Sequence, residues 1–137
     1  MSKKIETKNL KKYFQTPLGT LHAVDGVSFS VEEGQTIGVV GESGCGKSTL
    51  GRVVIKLLDH TDGEIFFDGE NITHVSKARL RELRWKMQMI FQDPYASVNP
   101  RMTVSQIIAE PLKIAGRLDK AALDGRVAEL METVGLD

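Results

Sequence analysis

The residues most able to do chemistry lie together in Gly41-Glu42-Ser43-Gly44-Cys45-Gly46-Lys47-Ser48, which matches G-x-x-x-x-G-K-[ST] at every fixed position. Glycines let the backbone curl so that successive N–H groups point inward and form a nest for anionic oxygens. A helix starting near Lys47 adds its positive end and its unpaired N–H groups. Lys47 places a point charge on the outer phosphates. The Ser48 hydroxyl suits Mg²⁺, which otherwise keeps water and phosphate oxygens. The chemistry is retention of a nucleotide triphosphate, ATP with Mg²⁺. A chance match in this length is on the order of one per cent or less, so the stretch reads as a site and not as a glycine-rich turn. Cys45 reads as a small space-filling residue; its place at a helix N-terminus predicts alkylation that MgATP blocks.

The loop needs a strand before it and a helix after it. Residues 36–40 read as a short apolar strand buried on both faces. A helix from about Lys47 should carry Leu50, Val53, Val54, Leu57 and Leu58 on one face. Upstream, Val27, Phe29 and Val31 alternate with polar residues as in a half-buried strand, and Glu33-Gly34 makes a turn. Residues 64–67 predict a strand, and Asp68-Gly69 a hairpin turn leading towards Ile72. Ser76 should cap a helix over 77–84. Residues 87–91 read as another apolar strand. Thr103 should cap a helix carrying Val104, Ile107, Ile108, Leu112 and Ala115, kinked or broken at Pro111. A last helix places Leu123, Val127, Leu130, Met131 and Val134 on one stripe, closed by Gly135 with Leu136 folded back. The expected class is α/β, with antiparallel strands before the loop and a helical segment after Pro100.

The chain has 137 residues, and its 18 Lys and Arg balance 18 Asp and Glu. This balance gives no general ground for binding nucleic acid or an anionic surface. The basic stretch over 77–86, five cations and Glu82, reads as a solvated helix face. No apolar run approaches the roughly 20 residues of a membrane span, and no apolar leader follows Met1-Ser2-Lys3-Lys4. Cys45 is the single cysteine, which excludes an internal disulfide and suits the cytoplasm.

Ser43 to Leu50, Ser-Gly-Cys-Gly-Lys-Ser-Thr-Leu, resembles the Walker A segment of ABC ATPases. Met89-Ile90-Phe91-Gln92-Asp93-Pro94 looks like their Q-loop. The continuation Tyr95-Ala96-Ser97-Val98-Asn99-Pro100-Arg101-Met102-Thr103-Val104, with Glu110-Pro111-Leu112, resembles the ATP-binding subunits of oligopeptide, dipeptide and nickel importers. So do Asn9-Leu10-Lys11-Lys12-Tyr13-Phe14 and Ala23-Val24-Asp25-Gly26-Val27-Ser28-Phe29.

The resemblance implies a P-loop NTPase of the ABC type, with a β-subdomain over 1–35, core strands, loop helix and Q-loop over 36–100, and the start of a helical subdomain over 101–137. It implies nucleotide contacts from Gly41, Ser43, Gly44, Cys45, Gly46, Lys47, Ser48 and Thr49. Ser48 and Gln92 would approach Mg²⁺, and Gln92 would couple nucleotide state to the helical segment. An aromatic would stack on adenine: Phe14 matches the family position counted from Leu10, with adjacent Tyr13 the other candidate. Residues 93–103 would lie near the groove for a coupling helix of a transmembrane permease subunit. A second ATPase subunit would complete a homo- or heterodimer, peripheral on the inner face of a prokaryotic plasma membrane.

Parts of the family pattern do not occur in these residues. There is no Leu-Ser-Gly-Gly-Gln signature and no apolar strand ending in Asp-Glu, and His22, His60 and His74 fall in the wrong places for a switch histidine. The expectation is the N-terminal portion of a longer ATPase, which holds ATP with negligible turnover on its own and whose unpaired edges invite oligomers. The competing readings are a small P-loop kinase, an ABC-type ATPase acting on DNA or outside transport, and a non-catalytic nucleotide-binding module. The residues around Gln92 weigh against the kinase, and the neutral charge weighs against DNA.

Overall fold

Two long strands make the frame on which the loop sits. The structure, a computed structural model, describes residues 2–136. The strands β1 (Lys3–Thr16) and β2 (Gly19–Glu32) form an antiparallel hairpin, and β1 also pairs antiparallel with β3 (Asp62–Phe67), which turns into the short β4 (Glu70–Asn71). The sheet order is β2-β1-β3-β4. Asp68 and Gly69, with φ of 49° and 78°, form the expected turn with both central residues left-handed.

β1 is a central strand although its sequence is rich in lysine. Its pairing with β2 slips between Thr7 and Leu10, and Asn9 there adopts φ 48°. This irregularity lets Thr7 and Leu10, three residues apart, both be buried. Gly63 in β3 is required at the same point: a Cβ there would lie 2.4 Å from the Asn9 carbonyl oxygen. Leu10, Val24, Ile65, Phe67 and Ile72 then form a core with Val53, Val54, Leu83 and Met87.

The loop helix α1 spans Lys47–Val54, starting where the motif requires but ending before Leu57 and Leu58. Lys56 takes the left-handed position, with φ 63°. Its N–H donates to Val53 O at 3.0 Å, and Leu57 N–H donates to Arg52 O at 2.8 Å. This closure usually uses glycine. Ser76 caps α2 (Lys77–Leu83) as expected, accepting from Arg79 N–H at 3.2 Å. The basic stretch is only partly a solvated face: Arg79 grips Glu70 through Nε at 3.0 Å and Nη2 at 2.6 Å, and Arg84 Nη2 donates to Lys56 O at 2.9 Å.

Two expected strands are not formed. Residues 36–40 and 87–91 are irregular in the structure. Val40 is 92% exposed and Ile90 is 99% exposed. A strand exists only with a ladder partner, and among the described residues neither segment has one.

The chain divides between Met89 and Ile90 into two compact units. The second holds α3 (Val104–Ala115) and α4 (Lys120–Thr133), which bury Ala109, Leu123 and Val127 against each other. Thr103 and Gln106 form a reciprocal capping box. Pro111 does not break α3; it lies on the exposed side, where the carbonyl deprived of its donor can be hydrated. Asp119 caps α4 by accepting from Ala122 N–H at 2.8 Å. Gly135 closes it, with N–H groups of Gly135 and Leu136 donating to Glu132 O and Met131 O.

Candidate functional site

The loop over 41–48 is a curl that only glycine permits at two points. Gly44 and Gly46 have φ of 80° and 98°, and Cys45 N–H closes the curl onto Glu42 O at 3.2 Å. At Gly46 a Cβ would stand 2.1 Å from the Ala23 carbonyl oxygen of β2. The missing side chain is therefore what lets the loop rest on the hairpin. At Gly41 a Cβ would meet Cys45 Sγ at 2.6 Å, so Cys45 fills space under the loop's first residue while staying exposed.

Lys47 reaches back over the curl. Its ammonium donates to Gly41 O at 2.5 Å and Glu42 O at 2.7 Å, with Cys45 Sγ at 3.7 Å. These two carbonyls hold the charge at the loop mouth without an acidic partner. The first intrahelical bond runs from Leu50 N–H to Gly46 O at 2.8 Å, which leaves the N–H groups of Lys47, Ser48 and Thr49 free. No side chain caps this N-terminus, and no acidic residue stands in its first turn. The Ser48 hydroxyl is exposed on that turn. Helix end, free donors and ammonium all favour a polyanion.

Beside the loop is a cavity of about 340 Å³ lined by His22, Asp25, Val40, Gly46, Lys47 and Leu50, among others. A larger cavity, about 910 Å³, shares Asp25 but includes no loop residue; chemistry and not size identifies the site.

Tyr13 and Phe14 are neighbours on β1 and therefore point to opposite faces of the sheet. Tyr13 pairs with His22 across the hairpin, their rings stack at 4.0 Å and 14°, and the Tyr13 hydroxyl donates to Asp25 Oδ1. Phe14 pairs with Leu21 and lies under the Lys12 ammonium, 4.9 Å from the ring centroid. Sequence reasoning set His22 aside as a surface residue and gave Asp25 no part. Their signal was register: the hairpin at Pro17-Leu18 puts His22 opposite Tyr13.

Gln92 belongs to the second unit and is exposed in an irregular turn after Phe91. The residues after it are locally organised. Asp93 Oδ1 accepts from Tyr95 N–H at 2.9 Å and Ala96 N–H at 3.2 Å, and Asn99 Oδ1 accepts from Arg101 N–H at 3.0 Å. Among the described residues no group of three His, Cys, Asp or Glu is placed to hold a metal. No helix among the described residues is long and apolar enough to cross a membrane.

Loop, following helix and antiparallel sheet define an α/β protein with the P-loop NTPase fold of the ABC ATPase type. The chain belongs to the ABC transporter family, whose family profile matches residues 24–137. It is 56% identical over 138 residues to the oligopeptide transport ATP-binding protein OppF of Bacillus subtilis, covering 98% of this chain and 45% of that protein. OppF of Salmonella typhimurium is 48% identical over 132 residues, covering 96% and 40% respectively. The chain thus spans less than half the length of these relatives.

Solved structures agree on the fold. The dimeric structure of MJ0796, a bacterial ABC transporter cassette, matches with a TM-score of 0.81 at 23% identity, over 97% of this chain and 58% of that one. The structure of cbiO1 from Clostridium perfringens, part of the cbiONQ transporter complex, matches with a TM-score of 0.77 at 24% identity, over 100% and 52%.

Proposed function

We propose that this chain supplies the ATP-holding part of an energy-coupling subunit in an importer of peptides or related small solutes. The observation that carries the reading is the Lys47 ammonium, held by two loop carbonyls above a helix end with free N–H groups. The relatives named as oligopeptide transport ATP-binding proteins support the choice of solute class, and the parent protein would hydrolyse ATP to drive transport.

The chain's own residues bind and orient. The N–H groups of the loop and of the first turn of α1 cradle the β-phosphate, and Lys47 turns from carbonyls to phosphate oxygens, trading one set of acceptors for charged ones. Ser48 would hold Mg²⁺, which neutralises charge between the β- and γ-phosphates when bound. Gln92 would couple nucleotide state to the helical segment, as the family resemblance implies. Tyr13 and Phe14 are the candidates for the adenine contact, and neither lines the cavity beside the loop. Residues 93–103 would meet a permease subunit on the inner face of the plasma membrane, and a second ATPase subunit would complete the site.

The test is purification of the intact protein from membranes. Copurification of permease subunits, with ATP hydrolysis stimulated by a peptide substrate, is the expected result. Transfer of phosphate from ATP to a soluble metabolite, with no permease recovered, would overturn the reading. The 137 residues alone should bind ATP and release almost no phosphate; steady-state release at the intact protein's rate would contradict this.

A further inference from the structure

Two of the chain's three histidines come together away from the phosphate loop. His60 lies between α1 and β3, and His74 lies in the turn between β4 and α2. Their ring centroids are 5.2 Å apart, with the planes tilted at 58°. His60 Nδ1 is buried and has no hydrogen-bond partner. His74 is exposed and lines the cavity of about 910 Å³. A buried nitrogen without a partner calls for an explanation, and an ion is one.

Both rings stand on fixed backbone. Beside His60, Thr61 N–H donates to Lys11 O at 2.7 Å, and Thr61 Oγ1 accepts from Tyr13 N–H at 2.8 Å. Beside His74, the buried Thr73 is held at three points. Its Oγ1 accepts from Ile65 N–H at 3.0 Å, its N–H donates to Asn71 Oδ1 at 3.0 Å, and its carbonyl accepts from the Lys56 ammonium at 2.7 Å. The fold therefore sets the spacing of the two imidazoles before anything binds.

We propose that His60 and His74 form a two-imidazole site for a late first-row divalent cation, of the class of Zn²⁺, Ni²⁺ and Cu²⁺. Imidazole suits these ions, whereas Mg²⁺ takes oxygen ligands. With metal–nitrogen bonds of about 2.0–2.1 Å, two imidazoles on one tetrahedral ion have ring centres about 5 Å apart. The observed spacing matches. The site is a pair: among the described residues no third His, Cys, Asp or Glu joins it, so water takes the other positions and the ion exchanges freely. Asp59 and Asp62 favour positive charge at the His60 ring, against the Lys56 ammonium and His74. Two carboxylates against one ammonium leave these surroundings net negative. The ion would tie the exit of α1 to the turn before α2, independently of what the phosphate loop holds.

The experiment adds Zn²⁺, Ni²⁺ or Cu²⁺ alone, without nucleotide, to the intact protein and to its His60→Ala, His74→Ala and His22→Ala variants. Equilibrium dialysis counts the bound ion, and urea unfolding is followed with and without Zn²⁺. One equivalent should be lost in His60→Ala and in His74→Ala and kept in His22→Ala, with Cu²⁺ held tightest of the three ions. Zn²⁺ should raise the urea midpoint of the unmodified protein and leave that of His74→Ala, a change at an exposed turn residue, where it was. Unchanged stoichiometry in either variant, or a loss confined to one of them, would overturn the proposal. So would an equal loss in His22→Ala, or an equal Zn²⁺ shift in His74→Ala and the unmodified protein.

Discussion

Gly46→Ala tests whether the loop depends on its seat against the hairpin, and Gly44→Ala provides the control. Both glycines lie in the left-handed region, with φ of 98° and 80°, so an alanine at either costs about 1–2 kcal/mol of backbone strain. At Gly44 nothing stands within 4 Å of the added carbon, and strain is the whole cost. At Gly46 the added carbon would sit 2.1 Å from Ala23 O, and Cβ contacts under 3.0 Å essentially never occur. The obstacle is main chain in a paired strand, so the loop must shift by most of an ångström or more. Overpacking of that kind adds about 1–3 kcal/mol. Gly46→Ala should therefore cost about 2–5 kcal/mol in total, against about 1–2 for Gly44→Ala. Because the displaced residues are the proposed phosphate donors, much of the difference should appear in binding. A cost of about 2 kcal/mol there is roughly a 30-fold loss of MgATP affinity. Urea unfolding and fluorescent-nucleotide titration of the intact protein measure the two effects. Gly46→Ala with the stability and affinity of Gly44→Ala would refute the argument.

Two further outcomes follow from other residues. Cys45 is exposed beneath the Lys47 ammonium, so a maleimide should label it and MgATP should slow the labelling at least tenfold; equal rates with and without nucleotide would show that the thiol lies outside the site. His60 has a buried Nδ1 with no hydrogen-bond partner, and its pKa is lowered from 6.5 by burial first, then by Lys56 and His74. The unfolded state binds that proton first as pH falls, so stability is fully present above about 6.5 and is lost from there down to the folded pKa. His60→Gln should flatten the urea midpoint between about pH 7 and about pH 5 relative to the unmodified protein; parallel profiles would contradict this.

The features legible in the sequence are those fixed by neighbours along the chain. The start of α1 was readable because the glycines, Lys47 and Ser48 specify the loop and the helix together. The caps at Ser76 and Thr103 and the closure at Gly135 are equally local. The end of α1 was not, because Lys56 occupies a left-handed position with no glycine to announce it. β1 was obscured by its lysines and by the irregularity at Asn9, which breaks the alternation a strand normally shows. Residues 36–40 and 87–91 have the composition of buried strands, but composition cannot supply a ladder partner. The pairing of Tyr13 with His22 depends on hairpin register, which neither strand announces by itself.

The central claim is that the loop over 41–48 holds the phosphates of ATP through the Lys47 ammonium and the free N–H groups behind it. Calorimetric titration of MgATP into the intact protein and its Lys47→Ala variant tests it most directly. The account predicts saturable one-to-one binding per site in the unmodified protein, weakened at least tenfold in Lys47→Ala while the urea midpoint shifts little. Equal MgATP affinity in the two proteins would contradict it.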